Sequence, residues 1–574
     1  MNKKRLLRAA GAFGVLTVAL GVTGAGCLNR PIDRINPRTT STVVERLQQS
    51  GVDKIDLLLS IDNSISMADK QQILAAAVPD LVNRLVTPNC VDDEGNATGN
   101  VVDAEGECPD GSTPEFPPIR DINIGVISSS LGDLTSGACG QSSILHPNDK
   151  AHLLTRTRGG APAPADYQGK GFLGWDPDNQ RGGQTNETEL IDDLRNMVIG
   201  VDQVGCGYEM QLESVLRFLV DPDPYDSLTT MNNRLVEVGT DEVLLQQRRD
   251  FLRPDSLLAI IILSDENDCS LNVKDQGFLA LGAPFFRATS ECATDPNDPC
   301  CTSCGLSVPS NCDAGGACTG PGGSKYSSLE DHQNLKCYRQ KERYGVDFLY
   351  PTSRYVNAFT QYRIDPDAVD YKGTKVENPL FQDLQGNGAP IRSPDLIFVA
   401  GIVGVPWQAI ARRNTDGDPD LSLGFKTYDE LQPDLQYLIG DPDKNVDPGD
   451  PFMVQSTVPR SGTSELMGFS PSQNNPINGR DWTIYDPGNP SDGADDLQYA
   501  CIFALDTPVT PGPDCDDCAG GCDNPLCDGA HPGHGGTADT TQENAKAYPG
   551  LRPLAVLRGM GSQGIFASIC PAEP

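Results

Sequence analysis

Histidine and tryptophan are scarce in this 574-residue chain, five of one and three of the other, and aromatic residues make up 6%. So few histidines leave little material for imidazole acid–base chemistry or for zinc ligation. The three tryptophans, Trp175, Trp407 and Trp482, offer few stacking platforms and discourage a carbohydrate- or matrix-binding reading. Basic residues are in deficit as well: 44 Lys plus Arg stand against 79 Asp plus Glu, a formal charge of -35. No stretch beyond the N-terminal segment gathers them, which argues against a nucleic-acid or anionic-membrane face. Past residue 26 no run is apolar enough to span a bilayer. Catalytic signatures are missing too. There is no GxSxG elbow, HExxH, P-loop or dinucleotide fingerprint, and no histidine lies near Ser64 or Ser66 in sequence, so the expectation is a protein that is not an enzyme.

What the chain has in surplus is Asp, Gly and Pro. Gly and Pro total 104 residues, and Asp outnumbers Glu by 59 to 20. Asp prefers turns and caps to helix interiors, so much of the chain is expected to be irregular. At the N-terminus, Lys3, Lys4, Arg5 and Arg8 precede a run of small and apolar residues from Ala9 to Gly26, followed by Cys27. That pattern reads as a secretion signal. It resembles a bacterial lipoprotein signal with Cys27 as the lipidated first residue, although Gly24 stands where Leu is usual. Loss of residues 1–26 would leave 40 basic residues against 79 acidic ones, a balance of -39. Residues 27–50 read as a polar tether with a short helical turn near Val43–Gln48, and Leu28 after the lipidated Cys suggests the outer membrane.

Nineteen cysteines fit an exported chain. With Cys27 lipidated, 18 remain, enough for nine disulfides whose pairing the sequence does not reveal. They cluster between Cys292 and Cys337 and again at Cys515, Cys518, Cys522 and Cys527. The second cluster has the spacing of a zinc knuckle, but its Gly and Asp content favours a stapled loop.

Five apolar runs read as buried strands: Lys54–Asp62, Asp121–Ser129, Ser256–Ser264, Asp395–Val403 and Gly564–Ile569. Helical spacing covers Asp69–Val86, with Pro79 inside it, then Glu189–Val198, Glu209–Val220, Asp241–Phe251 and Tyr355–Tyr362. Strands alternating with helices give an α/β class: a Rossmann-like open, mostly parallel sheet with helices on both faces. One elaborated domain over 51–574 is expected, with Cys-rich and Asp/Gly/Pro-rich insertions at 87–118, 131–188, 270–340 and 404–555.

The first strand delivers Asp62-Asn63-Ser64-Ile65-Ser66 at its carboxyl end, where ligands of open α/β sheets bind. A carboxylate and two hydroxyls at spacing two suit a hard cation, and hydroxyls there equally cap a following helix. Residues 54–86 resemble the start of a von Willebrand factor A domain, whose metal-ion-dependent adhesion site opens with this motif. By that resemblance Asp265, after the strand ending in Ser264, is a second acidic site residue. The third contributor of such domains is a Thr in a Gly-rich loop. The matching stretch, Gly205-Cys206-Gly207-Tyr208-Glu209, has no Thr, which leaves Glu209 as an oxygen ligand or as a favourable charge near a helix start. The expected set is therefore Asp62, Ser64, Ser66, Asp265 and Glu209 around Mg²⁺ (or Ca²⁺ or Mn²⁺). The function this implies is an envelope-anchored adhesion protein that binds an extracellular or periplasmic protein through the cation. The alternative is a structural lipoprotein that uses the same fold without metal and makes contacts through its insertions.

Overall fold

The near-continuous apolar run at Lys54–Ile61 forms strand β1 in the computed structural model, buried on both sides from Ile55 onward. The structure describes residues 54–570 other than 94, 104–105, 314, 321–322, 485–492, 511, 513, 516–523 and 528–539. The signal, Cys27 and the tether lie outside the described residues, as do Cys518 and Cys522.

Helix α1 (Ala68–Val86) follows β1 and carries Pro79 without ending. Strand β2 (Asp121–Ser128) and the short strand β3 (Leu173–Trp175) come next, then helices α2 (Glu187–Gly200) and α3 (Gln211–Leu219). A hairpin of β4 (Tyr225–Met231) and β5 (Arg234–Thr240) precedes helix α4 (Glu242–Phe251) and strand β6 (Leu257–Leu263). Beyond the Cys-rich insertion lie α5 (Ser353–Thr360), β7 (Ile397–Pro406), a second pair of strands β8 (Cys501–Val509) and β9 (Gln542–Ala547), helix α6 (Leu551–Met560) and β10 (Gly564–Cys570).

The central sheet runs β3-β2-β1-β6-β7-β10. Its five long strands pair in parallel, and β3 adds an antiparallel edge. Counted along the sheet's own strands this is the order 3-2-1-4-5-6 of a doubly wound fold. Helix α3 lies on β1 and β2, α6 lies on β7 and β10, and α1 packs on α2. The five expected strands are all present. Strand β3, the β4–β5 hairpin, the β8–β9 pair and α6 lie outside the expected elements.

The described residues from Lys54 onward form one compact unit. Eight disulfides join described residues, and they staple the insertions. Cys90–Cys108 closes a small three-stranded sheet within 87–118. Cys269–Cys337, Cys292–Cys301, Cys300–Cys312 and Cys304–Cys318 hold the 270–340 insertion. Cys501–Cys570 ties the start of β8 to the end of β10, and Cys515–Cys527 closes the loop that had the knuckle spacing. At the amino end of the sheet, the buried Asp56 accepts from Arg253 Nε at 2.8 Å and from Ser256, so the strand starts there carry a satisfied charge.

Candidate functional site

Strands β1 and β6 lie side by side, so their carboxyl ends deliver Asp62 and Asp265 to one place. Around them the loops are locked by side-chain bonds. Asp62 Oδ1 accepts from the Ser64 amide at 2.8 Å, and Oδ2 accepts from the Ser264 hydroxyl at 2.8 Å. The Ser64 and Ser66 hydroxyls are 3.1 Å apart, and Ser66 donates to Asp265 Oδ1 at 3.1 Å. Asp62, Asp265 and Ser64 are buried, and Ser66 is half-buried. Four of the expected site residues therefore lie together.

Beneath them lies a residue that no motif in the sequence marks. Lys70, in the first turn of α1, is 2% exposed; its Nζ donates to the Ser66 carbonyl at 2.7 Å and stands 3.1 Å from Asp265 Oδ2. A lysine four places after a serine in a helix start looks like any surface lysine in sequence. Only the fold turns it under the loop. Gln71, beside it, donates to the carbonyls of Asp62 and Asp202, which holds the loop to the 202–206 segment.

That segment is also bolted through Asn63. The Gly205 amide donates to the Asn63 carbonyl at 3.0 Å, and Asn63 Oδ1 accepts from Ser130 at 2.8 Å. Ser130 Oγ in turn accepts from the Cys206 amide, and Cys206 is bonded to Cys139. A Cβ at Gly205 would lie 2.1 Å from Asn63 Oδ1, so glycine is required by close approach.

The fifth expected residue, Glu209, is buried just before α3 and faces another carboxyl, Glu266. The two carboxyls hydrogen-bond to one another. Burial, then Glu266 and Asp62, push Glu209 well above the usual carboxylate range. Burial with Asp265 and Asp62 nearby pushes Glu266 up to about 8, and burial with Asp265 beside it pushes Asp62 up to about 6. Like charges packed out of water retain protons because both ionised forms are disfavoured. Asp268, a second acid of the same loop, is a cap instead: it accepts from the Leu212 amide at 3.0 Å and from Arg552 Nε at 3.1 Å.

The metal expectation is corrected here. Among the described residues no group of three or more His, Cys, Asp or Glu side chains is placed to hold a metal ion. Asp62, Ser64, Ser66 and Asp265 are bonded to one another and to Ser264, Lys70 supplies the positive charge, and Glu209 is paired with Glu266 through hydrogen. Mg²⁺, Ca²⁺ or Mn²⁺ as a cofactor of this site is therefore overturned, and cation-dependent adhesion with it. No known protein family, curated protein or solved structure matches the chain. Among the described residues no helix is long and apolar enough to cross a membrane.

Proposed function

We propose that this chain is a lipid-anchored protein of the cell envelope, on the outer membrane, built on a von Willebrand factor A-type domain. It works as a metal-independent scaffold whose disulfide-stapled insertions make the contacts, and it performs no catalysis. The observation that carries this reading is Lys70. A buried ammonium 3.1 Å from Asp265 supplies from within the chain the positive charge that these carboxylates need. The A-type assignment is supported by the Asp62-x-Ser64-x-Ser66 loop and Asp265 meeting at the ends of adjacent parallel strands. The contact role of the insertions is supported by their size and by the eight disulfides, which give long loops fixed shapes at low ordering cost on binding.

Chemical crosslinking on intact cells carrying the protein, with and without EDTA, tests the reading. The same crosslinked species are expected in both conditions. Species that form only in the presence of Mg²⁺ or Ca²⁺ would contradict it.

A further inference from the structure

The β4–β5 hairpin presents an exposed apolar face. Asn232 and Asn233, at φ 52° and 57°, form a two-residue loop of the kind that matches the twist of paired strands. The register pairs Met231 with Arg234, Thr229 with Val236 and Ser227 with Val238. These pairs share one face, and on it Met231, Val236 and Val238 are 58%, 37% and 45% exposed. The other face carries Leu228 and Leu235, which pack on the core.

Both strands of the hairpin are largely exposed, Gln276 donates to the Asn233 carbonyl at the turn, and the edges differ in their side-chain ties to the body. Along β4 the hairpin is fastened to the body, with Thr230 bonded to Thr135 at 2.6 Å and Asp226 to Lys150 at 3.0 Å. Along β5 every residue except Leu235 is exposed. A two-residue loop closes on a hydrogen-bonded pair, so the alternating ladder turns the N–H and C=O of Leu235, Glu237 and Gly239 outward. Among the described residues none of these groups takes a backbone hydrogen bond. An open edge beside an apolar face is a template for strand addition.

Charge decides which strand. Residues 221–242 place five carboxylates at or near the surface (Asp221, Asp223, Asp226, Glu237 and Glu242) beside Arg234, with Lys150 on Asp226 and Lys274 near Glu237, while Asp241 is buried against Arg217 and His152. A second copy of a chain with charge -35 is repelled from such a surface. We propose that β5 is the docking edge for an extended strand of a basic partner protein, added to the hairpin by main-chain hydrogen bonds. The strand carries apolar side chains at alternate positions, over Val236 and Val238, and Lys or Arg at its ends against the carboxylates. This proposal rests on the scaffold reading and names the partner's chemistry.

The probe is a fluorescein-labelled peptide, Ac-Lys-Val-Thr-Val-Thr-Val-Lys-NH2, compared with its Glu-ended counterpart by anisotropy against the full oxidised chain. The Lys-ended peptide is expected to bind at least roughly tenfold more tightly, a difference of about 1.4 kcal/mol. Its affinity should fall as NaCl rises from about 50 to about 500 mM, because exposed charges are then screened. Amide exchange at Leu235, Glu237 and Gly239 should slow when it is added. Glu237→Pro removes one outward donor and leaves the inward ladder intact, and Val236→Ser with Val238→Ser keeps the backbone and removes the apolar face. Each variant should weaken binding roughly tenfold or more. No binding, binding indifferent to both variants, unchanged exchange at the three amides, or self-association that protects them would each overturn the proposal. If it fails while the cell-surface crosslinks remain indifferent to EDTA, the edge assignment falls and the scaffold reading stands.

Discussion

Lys70 and Asp265 show how one side chain redirects a site. Taking both out of water is costly, and each is tolerated because the other is 3.1 Å away. Lys70→Met should therefore cost about 3–5 kcal/mol, since it leaves a buried carboxylate without its partner. Adding Asp265→Asn should recover much of that loss, as chemical denaturation can show; no recovery would mean that the pair is not a coupled unit. Glu266 gives a second prediction. Its carboxyl stands near 8 when folded and near the ordinary 4.5 when unfolded, so between those values the folded chain holds a proton that the unfolded chain has released. Stability from this group is complete below about pH 4 and is lost as pH rises through about 8. Glu266→Gln should therefore raise the melting temperature at pH 8.5, by on the order of 2–4 kcal/mol in stability, and change it little at pH 4. Equal effects at both pH values would contradict the assignment. At this scale Asp62, Ser64, Ser66 and Asp265 were legible, because a motif after an apolar run marks a strand end. Lys70 and Glu266 were not, because only packing distinguishes them from surface residues.

Among the elements, the parallel strands were legible because burial on both faces forces continuous apolar runs such as Leu257–Leu263. The edge strand β3 has three residues, Leu173, Gly174 and Trp175, too few to show any period. The β4–β5 hairpin carries Ser, Thr and Glu among its apolar residues, which blurs its alternation. Its signal lay in Asn232-Asn233, a pair of residues that tolerate the left-handed conformation. The loops around the site are held more tightly than their composition suggests. Gly205→Ala places a methyl group against Asn63, whose side chain holds the 129–130 loop while its carbonyl holds Gly205, and should cost about 1–3 kcal/mol. Thermal unfolding of that variant at unchanged disulfide content is the check, and a melting temperature equal to the parent's would show that the junction can relax.

For the molecule as a whole, a parallel α/β sheet positions the strand ends, and insertions stapled by disulfides surround it. A net charge of -35 keeps copies apart and favours basic partners, which agrees with a scaffold that recruits other proteins. At the strand ends the charge of Asp265 is balanced by Lys70 and not by a metal ion. Calorimetric titration of the mature chain with Mg²⁺, Mn²⁺ and Ca²⁺, beside Asp62→Ala with Asp265→Ala, tests this balance most directly. Both proteins should give the same negligible heats at millimolar metal. Stoichiometric binding of one ion by the parent, abolished in the variant, would contradict it.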